Sequence, residues 1–295
     1  MKAKALIILN PCSGKKLGLK YIVSICEMFE DAGYQLSLHL TEKSHDATQF
    51  VLDYGKGAEL IVCIGGDGTL NEVIYGIMLL GVSCPIGYIP LGSTNDFASG
   101  LNIPKKWKAA VNAVIQGTPH KLDICKFNER YFSYIASCGA FAKTSYSTPQ
   151  NLKNSLGHLA YLLEGVKDIS TIKPLHLSLL ADGEKLDGDY ILAACSNAKS
   201  VGGVLKLDPS RVDLNDGKME LMLIPTPKNA VHFAKILQCL QSKQYIAPYV
   251  IFKSCSEVEI QTDASFDWSL DGEHCPACKE ISVSVIPSAI SLMLM

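Results

Sequence analysis

Gly65-Gly66-Asp67-Gly68-Thr69 gathers three glycines around one carboxylate, with Leu70-Asn71-Glu72 following. The apolar run Leu60-Ile61-Val62-Cys63-Ile64 leads into it and reads as a buried strand, and Thr69 onward reads as a helix start. Glycine lacks a Cβ and tolerates positive φ, so such a turn lets a polyphosphate approach the main chain closely. The free N–H groups and dipole of the following helix point at the same anion. Asp67 would repel a bare phosphate, so a metal cation between them is expected. The same five residues would also serve as a tight strand-to-helix turn with an N-capping aspartate, and that alternative stays open.

Other residues with chemical capacity fall after neighbouring strands. Asn10-Pro11 with Ser13-Gly14-Lys15 follows the strand Ala5–Leu9, Thr41 follows Gln35–Leu40, and Pro90-Leu91-Gly92-Ser93-Thr94-Asn95-Asp96 follows Pro85–Ile89. Helices are expected at Leu17–Ala32, Asp46–Tyr54, Thr69–Leu80 and Lys105–Gln116. Strands alternating with helices predict a parallel sheet flanked by helices, with ligands bound beyond the carboxyl ends of the strands. Four polar or glycine-rich segments converge on that edge. After about Asp123 short strand-like runs dominate: Tyr131–Ser137, Leu175–Ala181, Tyr190–Ser196, Met219–Ile224, Tyr249–Phe252, Val258–Gln261 and Ile281–Ile286. Asp182-Gly183, Asp216-Gly217 and Asp271-Gly272 supply turns, and helices are expected at Leu156–Ile169 and Asn229–Gln241. A β-rich, mostly antiparallel sandwich-like second domain fits, giving an α/β domain over 1–123 and a β-sandwich over 124–286.

Composition bounds the rest. Of 295 residues, 48% are hydrophobic and 19% charged, with a net charge of −2, which gives no sign of nucleic-acid binding. Lys105, Lys106 and Lys108 cluster around Trp107, as a solvated helix start or a contact with a membrane surface. Val73 to Asn95 carries no charge, yet Gly81, Pro85, Gly87 and Pro90 break it, so no transmembrane helix is expected. The eleven cysteines are scattered, and Cys63, Cys84, Cys125, Cys138 and Cys195 sit in apolar runs. Met1 to Leu9 lacks the make-up of a cleaved secretory leader, so a reducing cytoplasm is expected. Cys275-Pro276-Ala277-Cys278 reads as a loop, without a second ligand pair for zinc.

Asn10-Pro11-x-Ser13-Gly14, Thr41 with Asp46-Ala47, Gly65 through Glu72, Pro90 through Ala98, Asp123, Asp208-Pro209, Asp216-Gly217 and Leu270-Asp271-Gly272-Glu273 occur in that order. Together they resemble the diacylglycerol kinase catalytic family, in its soluble bacterial branch. Gly65–Glu72 is shared with NAD kinases, while Pro90–Ala98 and the Asp-Gly-Glu near the end narrow the likeness to lipid kinases, sphingoid-base kinases included. The resemblance implies an N-terminal nucleotide domain of NAD kinase/diacylglycerol kinase type, a C-terminal β-sandwich, and residues 287–295 returning to the first domain. It implies ATP- and Mg²⁺-dependent phosphorylation of a lipid hydroxyl at the membrane surface by a peripheral cytoplasmic protein, with a homodimer left open. Asp67 is then expected at the γ-phosphate holding Mg²⁺, Glu273 as general base, and Asp96 and Asp123 holding the acceptor or a water network. Asn10, Ser13, Lys15, Thr41, Gly65, Gly66, Gly68, Thr69, Thr94 and Asn95 are expected nucleotide contacts. A structural Mg²⁺ is expected on the Asp216 side chain with the carbonyls of Asp213 and Lys218; a plain type I turn is the alternative there. Phe141, Leu159, Tyr161, Leu162 and Leu163 are apolar candidates for an acyl-chain wall, or ordinary core. An NAD kinase and a non-catalytic nucleotide-binding regulator are the competing functions. Ser13-Gly14-Lys15-Lys16 lacks the upstream glycine and the following Ser/Thr of a Walker A loop.

Overall fold

The computed structural model describes residues 2–139, 174–201, 205–207, 211–262 and 266–295. The helix expected at Leu156–Ile169, the five acyl-wall candidates and Asp208-Pro209 lie outside the described residues. The chain divides into two compact units: Met1–Leu122 with Ser288–Met295, and Asp123–Pro287.

The first unit is built on parallel strands β1 (Ala3–Leu9), β2 (Tyr34–Leu40), β3 (Leu60–Gly65) and β4 (Ile86–Pro90), in the order β2-β1-β3-β4. Every residue of β3 and β4 is buried. That explains their unbroken apolar sequence: strands covered on both faces need no polar alternation. Helices α1 (Leu17–Asp31), α2 (Asp46–Tyr54), α3 (Asp67–Leu80), α4 (Asp96–Gly100) and α5 (Trp107–Gln116) connect them. Helix α3 begins two residues before the expected Thr69, so Gly66 rather than Asp67 is its N-cap, and no side chain caps it. Ile25 and Phe29 of α1 and Ala110, Val111 and Val114 of α5 pack on one core with Ile7, Leu9, Val62 and Ile89. Residues 288–295 join this unit, where Leu292 pairs in parallel with Ile86 of β4 and is fully buried.

The second unit is antiparallel. Strand β5 (Thr118–Phe127) leads into it, and β6 (Arg130–Phe132), β7 (Ile135–Gly139), β8 (Leu175–Ala181) and β9 (Glu184–Ser196) follow. The rest are β10 (Ser200–Val201), β11 (Leu205–Lys206), β12 (Met219–Pro225), β13 (Ile251–Cys255), β14 (Glu257–Gln261), β15 (Trp268–Leu270), β16 (Glu273–Cys275) and β17 (Glu280–Leu294). Helix α6 (Ala230–Ser242) starts at Asn229, whose side chain accepts the His232 N–H, an N-cap of the usual kind. Asp182-Gly183 and Asp271-Gly272 take positive φ at both positions and close two-residue hairpins β8–β9 and β15–β16.

One departure from the sequence reading has its cause far along the chain. The run expected as one strand, Tyr131–Ser137, is two strands. Between them the amides of Ser133, Tyr134 and Ile135 donate to the buried carboxylate of Asp271 at 2.6, 3.0 and 2.9 Å. Ser133 Oγ donates as well, at 2.8 Å. Burial pushes the Asp271 carboxyl up and these donors oppose it. Asp271 is thus a scaffold for the loop as well as a turn residue.

Glu220 in β12 is treated differently. It is 1% exposed, and on an alternating strand it shares a face with Met222 and Ile224, which lie in the core beneath α6. Among the described residues neither carboxylate oxygen has a well-formed hydrogen bond; its own amide is a donor in reach. Burial, then the charges of Asp216 and Asp213, push its pKa up to about 8. An acid whose pKa rises on folding contributes stability that is complete below its unfolded pKa and is lost as pH climbs through the folded one. Glu220→Gln is therefore expected to gain stability over the wild type on going from about pH 4.5 to about pH 8, the window between the unfolded and folded pKa values. Denaturant melts in chelator-treated buffer measure it, and parallel pH profiles for the two proteins would refute it.

Candidate functional site

The carboxyl ends of β1, β3 and β4 bring together most of the expected nucleotide contacts. Asn10 ends β1 and is tied to the β3–α3 turn: its N–H donates to the Ile64 carbonyl at 2.9 Å and its Nδ2 to Thr69 Oγ1 at 3.0 Å. Its Oδ1 accepts the Cys12 N–H and its carbonyl the Ser13 N–H, so one asparagine shapes the loop into α1. Gly65 O accepts from both Leu91 and Gly92, joining this turn to the β4–α4 loop.

Gly66 and Gly92 meet with bare backbones. A Cβ on Gly92 would lie 2.4 Å from Gly66 Cα and 2.7 Å from Asn95 Oδ1. A Cβ on Gly66 would lie 3.2 Å from Gly92 Cα and 3.4 Å from Ser13 Oγ, so Ser13 belongs to the same cluster. Gly65 is required by the protein's own packing, since a Cβ there would sit 2.7 Å from Thr69 Oγ1. Gly68 differs: it is exposed, and an added Cβ would meet nothing within 4 Å.

Asp67, in the first turn of α3, reaches across to α4. Its two carboxylate oxygens accept the N–H groups of Asp96 at 2.9 Å and Phe97 at 3.2 Å. The aspartate therefore caps a neighbouring helix. Burial raises its pKa, against the amides of Asp96, Phe97 and Asn95 and the Tyr88 hydroxyl. Asn95 adopts a left-handed conformation (φ 53°) at the N-cap of α4. Its Oδ1 accepts the Gly92 N–H and its Nδ2 donates to the Gly92 carbonyl, both at 2.9 Å. The Asn95 side chain is thus engaged by its own loop, while Thr94 beside it is half-buried. Thr41 is buried after β2, its N–H donating to Leu9 O at 2.9 Å, and Lys15 is exposed.

The remaining candidates lie in the second unit. Asp123 is 1% exposed; its Oδ2 accepts the Gly217 N–H at 2.7 Å and its N–H donates to Leu214 O. It fastens the Asp213–Lys218 turn. In that turn Asp213 Oδ1 accepts from Asn215 N–H and Asp216 Oδ1 from Lys218 N–H, at 3.1 and 2.9 Å. Asp216 Oδ2 and the main-chain carbonyls make an all-oxygen donor set suited to a hard cation. The upward push of Asp213 and Asp216 on Glu220 marks a concentration of negative charge that a cation would relieve. Among the described residues, however, no three His, Cys, Asp or Glu side chains converge on a metal-sized site. Any ion here would rest on one carboxylate and carbonyls. Glu273 lies in β16 with its side chain 50% exposed, 3.8 Å from Arg130 Nη2.

Three residues important to these loops carried no prediction of that role. Gly92 stood in the Pro90–Asp96 segment, but its need for a bare backbone depends on Gly66, far off in sequence. Tyr88 reads as an apolar strand residue. Glu220 did leave a signal, a lone carboxylate inside Met219-Glu220-Leu221-Met222-Leu223.

Known proteins align with the chain over nearly its whole length. Residues 4–127 match the diacylglycerol kinase catalytic domain, and residues 135–294 match the YegS C-terminal NAD kinase beta sandwich-like domain. A Bacillus subtilis protein named diacylglycerol kinase is 34% identical over 274 residues, 92% of this chain and 90% of its own. A Staphylococcus aureus diacylglycerol kinase is 32% identical over 276 residues, 93% and 87% respectively. The chain belongs to the diacylglycerol kinase family. A Bacillus anthracis diacylglycerol kinase crystal structure has the same fold, at 19% identity and a TM-score of 0.77, covering 100% of this chain and 97% of that one. The family fold accounts for the α/β unit and the β-rich unit, and no helix among the described residues is long and apolar enough to cross a membrane.

The contrast between Gly68 and Gly92 yields a two-way test. Gly68→Ala is expected to keep or slightly raise the melting temperature, because alanine favours a helix by about 1 kcal/mol, yet to weaken ADP binding measured by calorimetry. Gly92→Ala is expected to lower both, since it displaces the protein's own backbone. Full ADP affinity in Gly68→Ala would show that the open space there serves no ligand.

Proposed function

We propose that the protein transfers the γ-phosphoryl group of ATP to a lipid hydroxyl, with diacylglycerol the first choice of acceptor and phosphatidic acid the product. The observation that carries the reading is the arrangement at the strand ends: two glycine backbones in contact, an exposed helix start at Gly68 with nothing beside it, and a half-buried carboxylate at Asp67. Whole-length similarity to proteins named diacylglycerol kinase supports the acceptor class.

Phosphoryl transfer demands little covalent work from a protein; it demands placement and charge neutralisation. In this reading the amides at the start of α3 face the phosphates, and Ser13, Lys15 and Thr41 add a hydroxyl, a point charge and a hydroxyl to the nucleotide. Asp67 is the residue that would hold Mg²⁺, directly or through water. Bound there, the ion would neutralise charge on the phosphates and hold Asp67 ionised against the cost of burial. Glu273 accepts the proton of the attacking alcohol, a role typically worth ~10²–10⁴-fold. Asp96 steadies the Asp67 carboxylate through its amide, and Asp123 acts through the Asp213–Lys218 turn that it fastens. If that turn carries a Mg²⁺, the ion's part is structural.

The deciding experiment supplies γ-labelled ATP with diacylglycerol, a sphingoid base and NAD as separate acceptors. Label in an organic-extractable product of diacylglycerol supports the reading; label in NADP alone replaces it with an NAD kinase. Nucleotide binding without transfer to any acceptor reduces the chain to a regulator. Asp67→Asn keeps one of the two oxygens that accept the α4 amides, at Asp96 and Phe97, and is expected to lose at least ~10²-fold in turnover while remaining folded. Near-wild-type turnover in that variant would remove Asp67 from the chemistry.

A further inference from the structure

Arg130 has no part in the mechanism above, yet it is a cation beside Glu273 and its strand is fixed at both ends. Arg130 pairs with Phe127, so Asn128 and Glu129 form the turn between β5 and β6. Asn128 takes a left-handed conformation (φ 50°), which asparagine tolerates better than most residues. Its N–H donates to the Ser282 carbonyl and its Oδ1 accepts the Ser282 N–H, both at 2.8 Å, fastening the turn to β17. At the other end of β6, Phe132 is buried. From between these anchors Arg130 Nη1 donates to the His274 carbonyl at 3.2 Å, while Nη2 stands 3.8 Å from Glu273 Oε2. One guanidinium thus engages two successive residues of β16, a grip that suits its rigid planar fork.

The turn before Glu273 is held by the same stretch of chain. The Asp271 carboxylate takes the amides of Ser133, Tyr134 and Ile135, and the Tyr134 hydroxyl donates to the Asp271 carbonyl at 2.9 Å. Residues 130–135 therefore grip the β15–β16 hairpin from Asp271 to His274. The backbone of Glu273 is well fixed by this, but its side chain is long and half exposed. Ion pairs as exposed as Arg130–Glu273 add little to stability. The worth of this one lies in direction: a guanidinium holding Oε2 sets where Oε1 points. A general base needs that, because a reacting group about 1 Å out of place can cost ~10²-fold in rate.

We propose that Arg130 is a positioning residue for phosphoryl transfer: it holds the Glu273 carboxylate by Oε2 and so aims Oε1 at the acceptor hydroxyl. The proposal rests on the reading of Glu273 as general base. As the alcohol oxygen bonds to the γ-phosphorus and the bond from phosphorus to the ADP oxygen breaks, the hydroxyl proton passes to Oε1. Arg130 touches neither reacting group and acts through Glu273 alone.

The test is a double-mutant cycle with γ-labelled ATP and diacylglycerol, run on the wild type, Arg130→Gln, Glu273→Gln and the double variant. Arg130→Gln is expected to lower kcat by ~10-fold with the KM for ATP unchanged, because aim is lost and nucleotide binding is not. Arg130→Lys keeps the charge without the fork and should recover part of the loss. The double variant should be no slower than Glu273→Gln, since Arg130 has nothing to aim once the carboxylate is gone. Losses that multiply in the double variant, a raised KM for ATP with kcat kept, or wild-type kcat in Arg130→Gln would overturn the proposal. Melting temperatures establish folding; should Arg130→Gln melt early, Arg130→Lys in the same cycle carries the test. If Glu273→Gln is slow and Arg130→Gln is not, the Arg130 assignment falls alone. If Glu273→Gln turns over like the wild type, the general-base reading falls and takes the proposal with it. If the wild type phosphorylates no acceptor, the functional reading falls, and crystal structures of the wild type and Arg130→Gln decide the hold on Glu273. A carboxylate displaced in the variant, with the Asp271 clamp intact, supports that hold, and an unmoved one removes it.

Discussion

The first unit depends on two main chains being allowed to touch. Gly66 and Gly92 end adjacent strands of a parallel sheet, and any side chain at Gly92 would drive the loops apart. With them in contact, Gly65 O ties down Leu91 and Gly92, Asn95 folds its own loop into a left-handed cap, and α4 starts where Asp67 can accept two of its amides. The carboxylate is placed by those amides and half-buried, and its partial burial makes its charge costly. A group in that condition responds strongly to a nearby cation, which is the electrostatic situation required where a metal-bound phosphate is to be recognised.

Buried carboxylates organise the second unit by the same principle with different outcomes. Asp271 and Asp123 each accept main-chain N–H groups from segments distant in sequence, so a charge that would be expensive inside a sheet becomes a clamp on irregular backbone. Glu220 is buried without such donors and stands close to the charges of the Asp213–Lys218 turn. All three acids are therefore buried and differ in whether amides were supplied to them. The two with donors hold loops, and the one without concentrates negative potential beside a turn of exposed oxygens.

Much of this was legible in the sequence. The strands of the first unit announced themselves as short apolar runs, because helices cover both sheet faces and leave no position for polar alternation. The Asp-Gly pairs at 182 and 271 marked two-residue hairpins because few other dipeptides accept positive φ twice. Strand β5 was hidden by its polar opening, Thr118-Pro119-His120-Lys121, and the length of β17 by Pro287 and Ser288, which interrupt the pattern without ending the strand. The break between β6 and β7 could not be read locally, since the carboxylate that takes those amides is 138 residues from Ser133. At the site, the glycine turn and the loops around it were readable by type and position. The capping of α4 by Asp67 and the clamp of Asp123 on Gly217 were not, because both are contacts between segments that sequence spacing leaves unrelated.

The return of residues 288–295 to the first unit bears on how the chain matures. Leu292 lies against Ile86, fully buried, and the backbone of Leu294 crowds Gly117. A nascent chain emerging from the ribosome therefore makes β1 to β4 and all of the second unit before the segment that borders β4 exists. Until then the outer side of β4 is an open sheet edge, with the liability for pairing with other chains that such edges carry. The nucleotide-facing loops hang from the ends of these same strands, so residues 288–295, made after all of them, border the strand that leads into the Gly92 loop.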